Sequence, residues 1–432
     1  ATEFINWLAS QRFRRHGRGG LIARNRCDAN QLMNSVAAGI SAVRVWFTAI
    51  QVPRMTVMRI LIASAFLLGM LFSSRLWWGD RLFPSLPVVA FLRLDGLTNL
   101  IAFALAGSLL GTCLHRRKIF PVVATVSAAL LMSADQMRWQ PWVYLYVLML
   151  LPLAVDSTKD EATLGYYRLL LSGVYFWSGI HKLNPQFLDG NFQAFLDVVF
   201  HYRFRSSSDP LRVIGYGIGG TELFVGLSLL TGIFRRLALG CAVIMHAAII
   251  AVVALADQFA SMLILLPWNL AMILFDFTVF RVKTSRPSEK FRDRPRRQQL
   301  VFGFAIIVIW LMPALNFLDR WDHYLSFSLF SNKVPRFYVA VEASEASKVP
   351  AQIREFTASI NGLSGGEIIN VDLWARKELG VPFYPEDRTF STLGKYFCSL
   401  GIEDRKVFFL RVTGPENDPD VFSTDCSSPD IP

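Results

Sequence analysis

The sequence predicts an all-α polytopic membrane domain of about nine transmembrane helices, followed by a small extracytoplasmic α+β domain. Three observations carry that class. Hydrophobic residues make up 53% of the 432-residue chain, and mean hydropathy is +0.37. Charged residues make up only 18%, against roughly 25% in soluble proteins. Long apolar runs recur as far as Leu318, after which the composition turns polar and β-patterned. The chain therefore divides into a basic cytoplasmic tail (1–54), a membrane domain (55–318) and an outer domain (319–432) whose end, Pro415 to Pro432, reads as frayed. The net charge of +11 would suit nucleic acid, but the basic residues cluster beside apolar runs, as cytoplasmic loops do. The expected partner is a lipid bilayer, not nucleic acid.

In the tail, Val36, Ile40, Val43 and Phe47 fall at helical spacing. Gln31 to Ile50 reads either as an amphipathic helix on the membrane or as a disordered segment. Apolar spans follow at Met55–Phe72, Leu97–Leu114, Ile119–Ala134, Val143–Val155 and Thr163–Ile180. Four more run Leu211–Phe234, Leu237–Ala256, Ala260–Phe280 and Leu300–Leu318. Trp77 and Trp78 suit an interfacial aromatic belt. Phe187–Phe204 is too polar to span. Its Phe192, Phe195, Leu196 and Val199 form one helical face, as expected of an interfacial helix able to cover the end of the fifth span. With the N-terminus inside, the basic clusters at Arg116–Lys118, Arg235-Arg236 and Arg281–Arg297 all fall inside. The Asp135–Trp142 loop, the end of the fifth span and the C-terminal domain then share the outer side, and in a bacterium the membrane is the inner one. In the outer domain, Phe337–Val341, Ile368–Leu373 and Lys406–Val412 read as strands and Thr389–Leu400 as a helix.

Function concentrates in Leu169–Phe187, LLLSGVYFWSGIHKLNPQF. The fifth span stays apolar until His181-Lys182, and Asn184-Pro185 then stops it, because a residue before proline is pushed out of helical geometry. An ionisable pair at that position is a functional hypothesis by default. A lysine at a helix end also snorkels to headgroups and suits the negative helix terminus, and the sequence leaves both readings open. Held dry, Lys182 would lose basicity and act as a base; a meeting with Asp135 would make it a structural ion pair instead. Further outer-side candidates to meet Lys182 are Gln136, Arg138, Trp139, Asn184 and His323. Glu222 and His246 are ionisable groups inside spans, each open to a packing role or to proton transfer and substrate orientation. Tyr175, Phe176 and Trp177 supply aromatic walls.

The segment SGIHKLNPQFLDG resembles the small-Gly-aliphatic-x-Lys-Leu stretch of vitamin K-dependent γ-carboxylase and of the horizontally transferred transmembrane domain (HTTM) family. The resemblance implies that Lys182 is a catalytic base that deprotonates a reduced, vitamin K-like quinone, with a small-molecule or peptide substrate beside it. The family's first lysine is replaced here by His181. The histidine that the γ-carboxylase carries in the loop equivalent to DQMRWQPW is missing, so Gln136 and Arg138 are its nearest polar substitutes. A quinone pocket would be built from Tyr175, Trp177, Asn184, Trp139, Glu222 and His246. The alternatives are a non-catalytic membrane scaffold or binding protein of the same architecture, and a DoxX-like redox partner of the quinone pool.

The five cysteines show no metal-ligand spacing, and no Gly-rich phosphate loop follows a strand, so neither metal nor nucleotide is expected. Cys27, Cys113 and Cys241 read as isolated small residues. Cys398 and Cys426 lie in the outer domain, where an oxidising compartment would allow them to form a disulfide.

Overall fold

A computed structural model describes residues 53–89, 94, 96–155, 160–202, 210–255, 263–281, 296–359, 366–414 and 420–428. The N-terminal tail, with its amphipathic segment and Cys27, lies outside the described residues, as does most of the basic stretch after Arg281. The membrane domain begins with α1 (Arg54–Phe72), α2 (Thr98–Leu114), α3 (Ile119–Ala134) and α4 (Pro141–Val155). It continues with α5 (Asp160–Lys182), α6 (Gln193–Phe200), α7 (Leu211–Thr231), α8 (Arg235–Leu255) and α9 (Leu265–Phe280). Last comes α10 (Arg296–Ile306), which runs on through a wide turn, Ile307–Leu311, into a tight one, Met312–Leu318.

The chain is a multi-pass membrane protein. Its apolar helices turn large side chains outward: Leu100 is 65% exposed on α2, Val213 73% on α7, Ile244 71% on α8 and Leu300 66% on α10. In a lipid solvent that is where such side chains belong. The count of nine crossings is not borne out. By length and composition four helices suffice to span: α1, α7, α8 and Gln299–Leu318. Helices α2, α3, α4 and α9 are apolar but shorter; at about 1.5 Å per residue they fall short of a hydrocarbon core of about 30 Å. Helix α5, 23 residues long, is too polar to join the four.

Glycines bring α5 and α7 together. A Cβ on Gly179 would collide with the Leu223 nitrogen, and one on Gly226 would meet the Phe176 nitrogen at 2.6 Å. A Cβ on Gly219 would lie 3.1 Å from the Gly179 carbonyl oxygen and 3.2 Å from the Lys182 Cβ. The two backbones are thus in contact, as small residues allow between membrane helices. Gly226→Leu should force the pair apart and destabilise the protein by about 2 kcal/mol or more, since the obstructing atoms are backbone. Thermal unfolding in detergent checks this, and an unchanged midpoint would refute it.

Between α5 and α7 the chain forms one turn, Pro185–Phe187, a wide turn, Leu188–Phe192, and then α6. The interfacial helix expected over Phe187–Phe204 is therefore broken and shorter. Its Leu188 and Phe192 press on Gly215 of α7, one turn from Gly219, so the segment sits beside the mouth where Lys182 ends α5.

The loops after α1 and α3 and the C-terminal domain are locked together. Asp135 caps the turn Gln136–Arg138, accepting from the Met137 and Leu86 amides, both at 3.1 Å, and from Arg81 at 2.6 Å. Burial alone would raise its carboxyl pKa, but Arg81 and Arg138 outweigh burial and hold it below the ordinary carboxylate value. A depressed folded pKa contributes stability above the unfolded pKa, about 3.9, and loses it as pH falls through the folded one. Asp135→Asn should therefore cost about 1–3 kcal/mol across pH 5–8. The gap to wild type should close only below about pH 4, measured by unfolding across that range. A gap that instead varied between pH 5 and 8 would refute this.

The sheet runs β2 (Thr357–Ser359), β3 (Glu367–Asn370), β1 (Arg336–Val341), β4 (Val407–Thr413) and β5 (Asp420–Asp425), all antiparallel. Helices α11 (Val371–Leu379) and α12 (Asp387–Cys398) accompany it. The Phe337 ring of β1 stacks on Phe390 of α12 at 4.8 Å. Two expectations change. Ile368–Leu373 is half strand and half helix, because Asn370 accepts from the Leu373 amide at 3.0 Å and starts α11. Asp420–Asp425, expected to fray, pairs with β4, and a Cys398–Cys426 disulfide ties it to α12. On the membrane side, Glu378 accepts from the Leu82 and Phe83 amides, and Phe83 packs on Trp374 at 4.4 Å. Gly380 (φ +73°) touches the Phe72 carbonyl, where a Cβ would come within 2.7 Å.

Candidate functional site

Helix α5 carries a polar group at nearly every turn of one face: Arg168, Ser172, Tyr175, Ser178 and Lys182, at spacings of three and four. All but Arg168 are buried. At the C-terminal end of α5, the Lys182 ammonium donates to Glu222 of α7 at 2.7 Å and to the Ser178 hydroxyl at 2.7 Å. The side chains of the ion pair are 7% and 6% exposed, so each charge is matched inside the bundle rather than at headgroups. An amine in this bond has no lone pair free to act as a base.

Two turns deeper, Tyr175 joins α8 and α9. Its hydroxyl lies 2.7 Å from His246 Nε2 and 2.6 Å from Asp276 Oδ2. His246 Nδ1 lies 2.7 Å from Asn269 Oδ1, while the Asn269 amide nitrogen donates to the Leu265 carbonyl at 2.7 Å. That last bond orients the amide with its oxygen toward the ring, so His246 carries a proton on Nδ1. Two proton placements then complete the chain. In one, a neutral Asp276 donates to Tyr175, which donates to Nε2. In the other, an imidazolium donates from Nε2 to Tyr175, which donates to an Asp276 carboxylate. They differ by one concerted shift of two protons. At the other end of α5, Arg168 donates to the Val279 carbonyl of α9 at 3.0 and 3.2 Å. As a permanent cation it is a fastener, not a proton carrier.

His181 is buried, and neither ring nitrogen has a partner among the described residues. Its ring stacks on Phe317 at 4.9 Å and faces Trp177 at 6.3 Å; Trp177 Nε1 is likewise without a partner there. The Lys333 ammonium sits over the same Phe317 ring at 5.1 Å.

Of the residues singled out from the sequence, Lys182, Glu222, Tyr175, His246, His181 and Trp177 belong to this part of the bundle. The others are fasteners at the end of the bundle that meets the C-terminal domain. Asn184 accepts from the Phe187 amide at 2.8 Å and donates to the Ser331 carbonyl at 3.2 Å, which anchors the end of α5. Gln136 donates to the Pro87 carbonyl at 3.1 Å and accepts from Arg388 at 2.5 Å. Trp139 donates to the Met132 carbonyl at 2.8 Å. Arg138 donates to the Leu76 and Leu131 carbonyls at 3.0 and 2.8 Å, and burial lowers its pKa to about 10. Among the described residues no hydrogen bond joins Gln136, Arg138 or Trp139 to Lys182; their partners lie elsewhere, which corrects the expectation that they meet that lysine. Asp135, weighed as the lysine's counter-ion, is held by Arg81 instead, and His323 pairs with Glu386 at 3.1 Å. Sequence reading missed Asp276 and Asn269. The signal was there: an acid between two phenylalanines and an amide in the same apolar run.

Residues 161–264 match the family model of the methylamine utilisation protein MauE. The match covers less than half of the chain and includes Tyr175, Lys182, Glu222 and His246; Asn269 and Asp276 follow it. No curated protein and no solved structure matches the chain. The match overturns the resemblance to γ-carboxylase and the HTTM family, because the SGIHKLNPQFLDG stretch on which it rested lies inside a segment similar to a different family. The reduced quinone and the peptide substrate lose that support with it. The similarity agrees with the apolar helices: the chain is an integral membrane protein.

Proposed function

We propose that this protein moves protons within its membrane domain, and that the relay is Asp276, Tyr175 and His246, with the Lys182–Glu222 pair closing its outer end. The observation that carries the reading is the hydroxyl of Tyr175 held at hydrogen-bond distance from an acid and an imidazole at once. Chains of buried Asp, Glu and His in membrane helices are the usual parts of proton paths. Burying them is costly unless they are bonded, and here the partners are one another, with Asp276 joined through Oδ2 while its Oδ1 has no partner among the described residues. Both proton placements leave the chain without net charge, so a shift between them creates no unpaired charge in a low-dielectric interior. A Cys398–Cys426 disulfide supports a C-terminal domain in an oxidising compartment outside the cytoplasm, and in this reading the Lys182 end of α5 faces the same side.

The test is proton movement after a pH jump across vesicles holding the full-length protein, comparing wild type with Tyr175→Phe. Wild-type vesicles that equilibrate no faster than empty ones would remove the reading.

A further inference from the structure

A second built site lies on the outer face, apart from the relay. A cavity of about 360 Å³ opens between the segment 75–85 that follows α1, the start of α2 and the turn at Asp135–Arg138. Arg75, Arg81 and Arg138 line it, against Asp80 and Asp135. Among the described residues, the acids do not balance the bases. Asp135 is already saturated by Arg81 and the Leu86 and Met137 amides. Arg138 spends Nε and Nη1 on the Leu76 and Leu131 carbonyls. Arg81 gives Nη2 to Asp135, but its Nη1 is buried with no partner among the described residues. A cationic N–H shut from water calls for an acceptor that no described residue supplies.

The walls and rim say what kind of acceptor. Trp77 and Trp78 form one side, and Trp78 stacks at 6.0 Å on Phe103, which is 64% exposed on the outward face of α2. The cavity thus borders surface that faces lipid tails. Thr98 and Asn99 of the first turn of α2 complete the rim, and that turn carries no acidic residue, so the helix terminus adds positive potential. Guanidiniums beside an aromatic wall fit an oxyanion carried on an amphiphile.

We infer that this cavity binds a phosphate oxyanion, with Arg81 and Arg75 as its cations; an anionic phospholipid headgroup and free phosphate share that chemistry. The full-length protein, delipidated in detergent, is titrated with phosphatidylglycerol, with phosphatidylcholine and with inorganic phosphate, and its thermal unfolding is followed. Asn99→Asp keeps the acceptor that the Gly79 amide uses at 3.3 Å while placing a negative charge on the rim. It should weaken binding about tenfold. Arg75→Gln, at an exposed position, should weaken it less and leave the Arg81–Asp135 pair intact. Stabilisation by phosphatidylglycerol well beyond phosphatidylcholine, lost in Asn99→Asp, identifies a headgroup site. Equal stabilisation by inorganic phosphate, lost in the same variant, identifies a free anion. Equal response to both lipids with none to phosphate, or an unchanged response in both variants, overturns the assignment.

Discussion

Lys182→Met alone should destabilise the protein by about 3–5 kcal/mol, because it leaves the Glu222 carboxylate buried without its cation. Glu222→Leu alone should cost a similar amount by stranding the ammonium. The double variant Lys182→Met/Glu222→Leu should recover most of the loss, since two charges that must both be desolvated are replaced by apolar side chains of similar volume. The geometry favours this outcome: both side chains are almost fully enclosed, and the second bond of Lys182 goes to Ser178 on its own helix. Equilibrium unfolding in detergent of the four proteins yields the coupling directly. A cycle in which the two losses simply add would mean that the groups do not act as a pair. The result also bears on chemistry. A lysine whose removal is rescued by removing its carboxylate is part of the scaffold around the relay, not a base awaiting substrate.

Much of the architecture was legible because it follows from hydropathy. The apolar runs predicted for α1 to α4 and α7 to α9 coincide with helices to within a few residues, and the Asn184-Pro185 stop ends α5 as the backbone rule requires. Side-chain pairing was not legible in the same way. Lys182 could have met Asp135 or Glu222, and sequence spacing does not rank the two. The choice is made by the close approach of α5 and α7, which depends on Gly179, Gly219 and Gly226 lying opposite backbone. Gly219 and Gly226 stood in view, seven residues apart on α7, as a signature of close helix packing. The polar face of α5 was equally readable, one group per turn from Arg168 to Lys182. Arg138 was harder: nothing local reveals that its hydrogen bonds would end on the carbonyls of Leu76 and Leu131. The strand at Asp420–Asp425 was hidden by its polar composition and depends on β4 and the disulfide.

Tyr175→Phe should slow proton movement by about a hundredfold, the scale on which one positioned proton-transfer group contributes. The substitution keeps the ring and removes only the oxygen that bonds both neighbours. Two atoms held by the same hydroxyl at 2.6 and 2.7 Å sit roughly 4 Å or more apart, beyond the reach of about 3.2 Å for a direct hydrogen bond. Asp276 and His246 would then face each other across a gap too narrow to hydrate well and too wide to cross. A merely structural tyrosine would also lose stability on this change, so the rate is read with a second signal. Transfer through the wild-type chain moves two protons together and should show a solvent deuterium isotope effect that vanishes in Tyr175→Phe, where the residual leak takes another route. Tyr144→Phe is the control: that hydroxyl is also buried, without a partner among the described residues, and its loss should leave both rate and isotope effect as they were. If Tyr175→Phe conducts at the wild-type rate with the same isotope effect, the hydrogen-bonded chain is packing and the protons travel elsewhere.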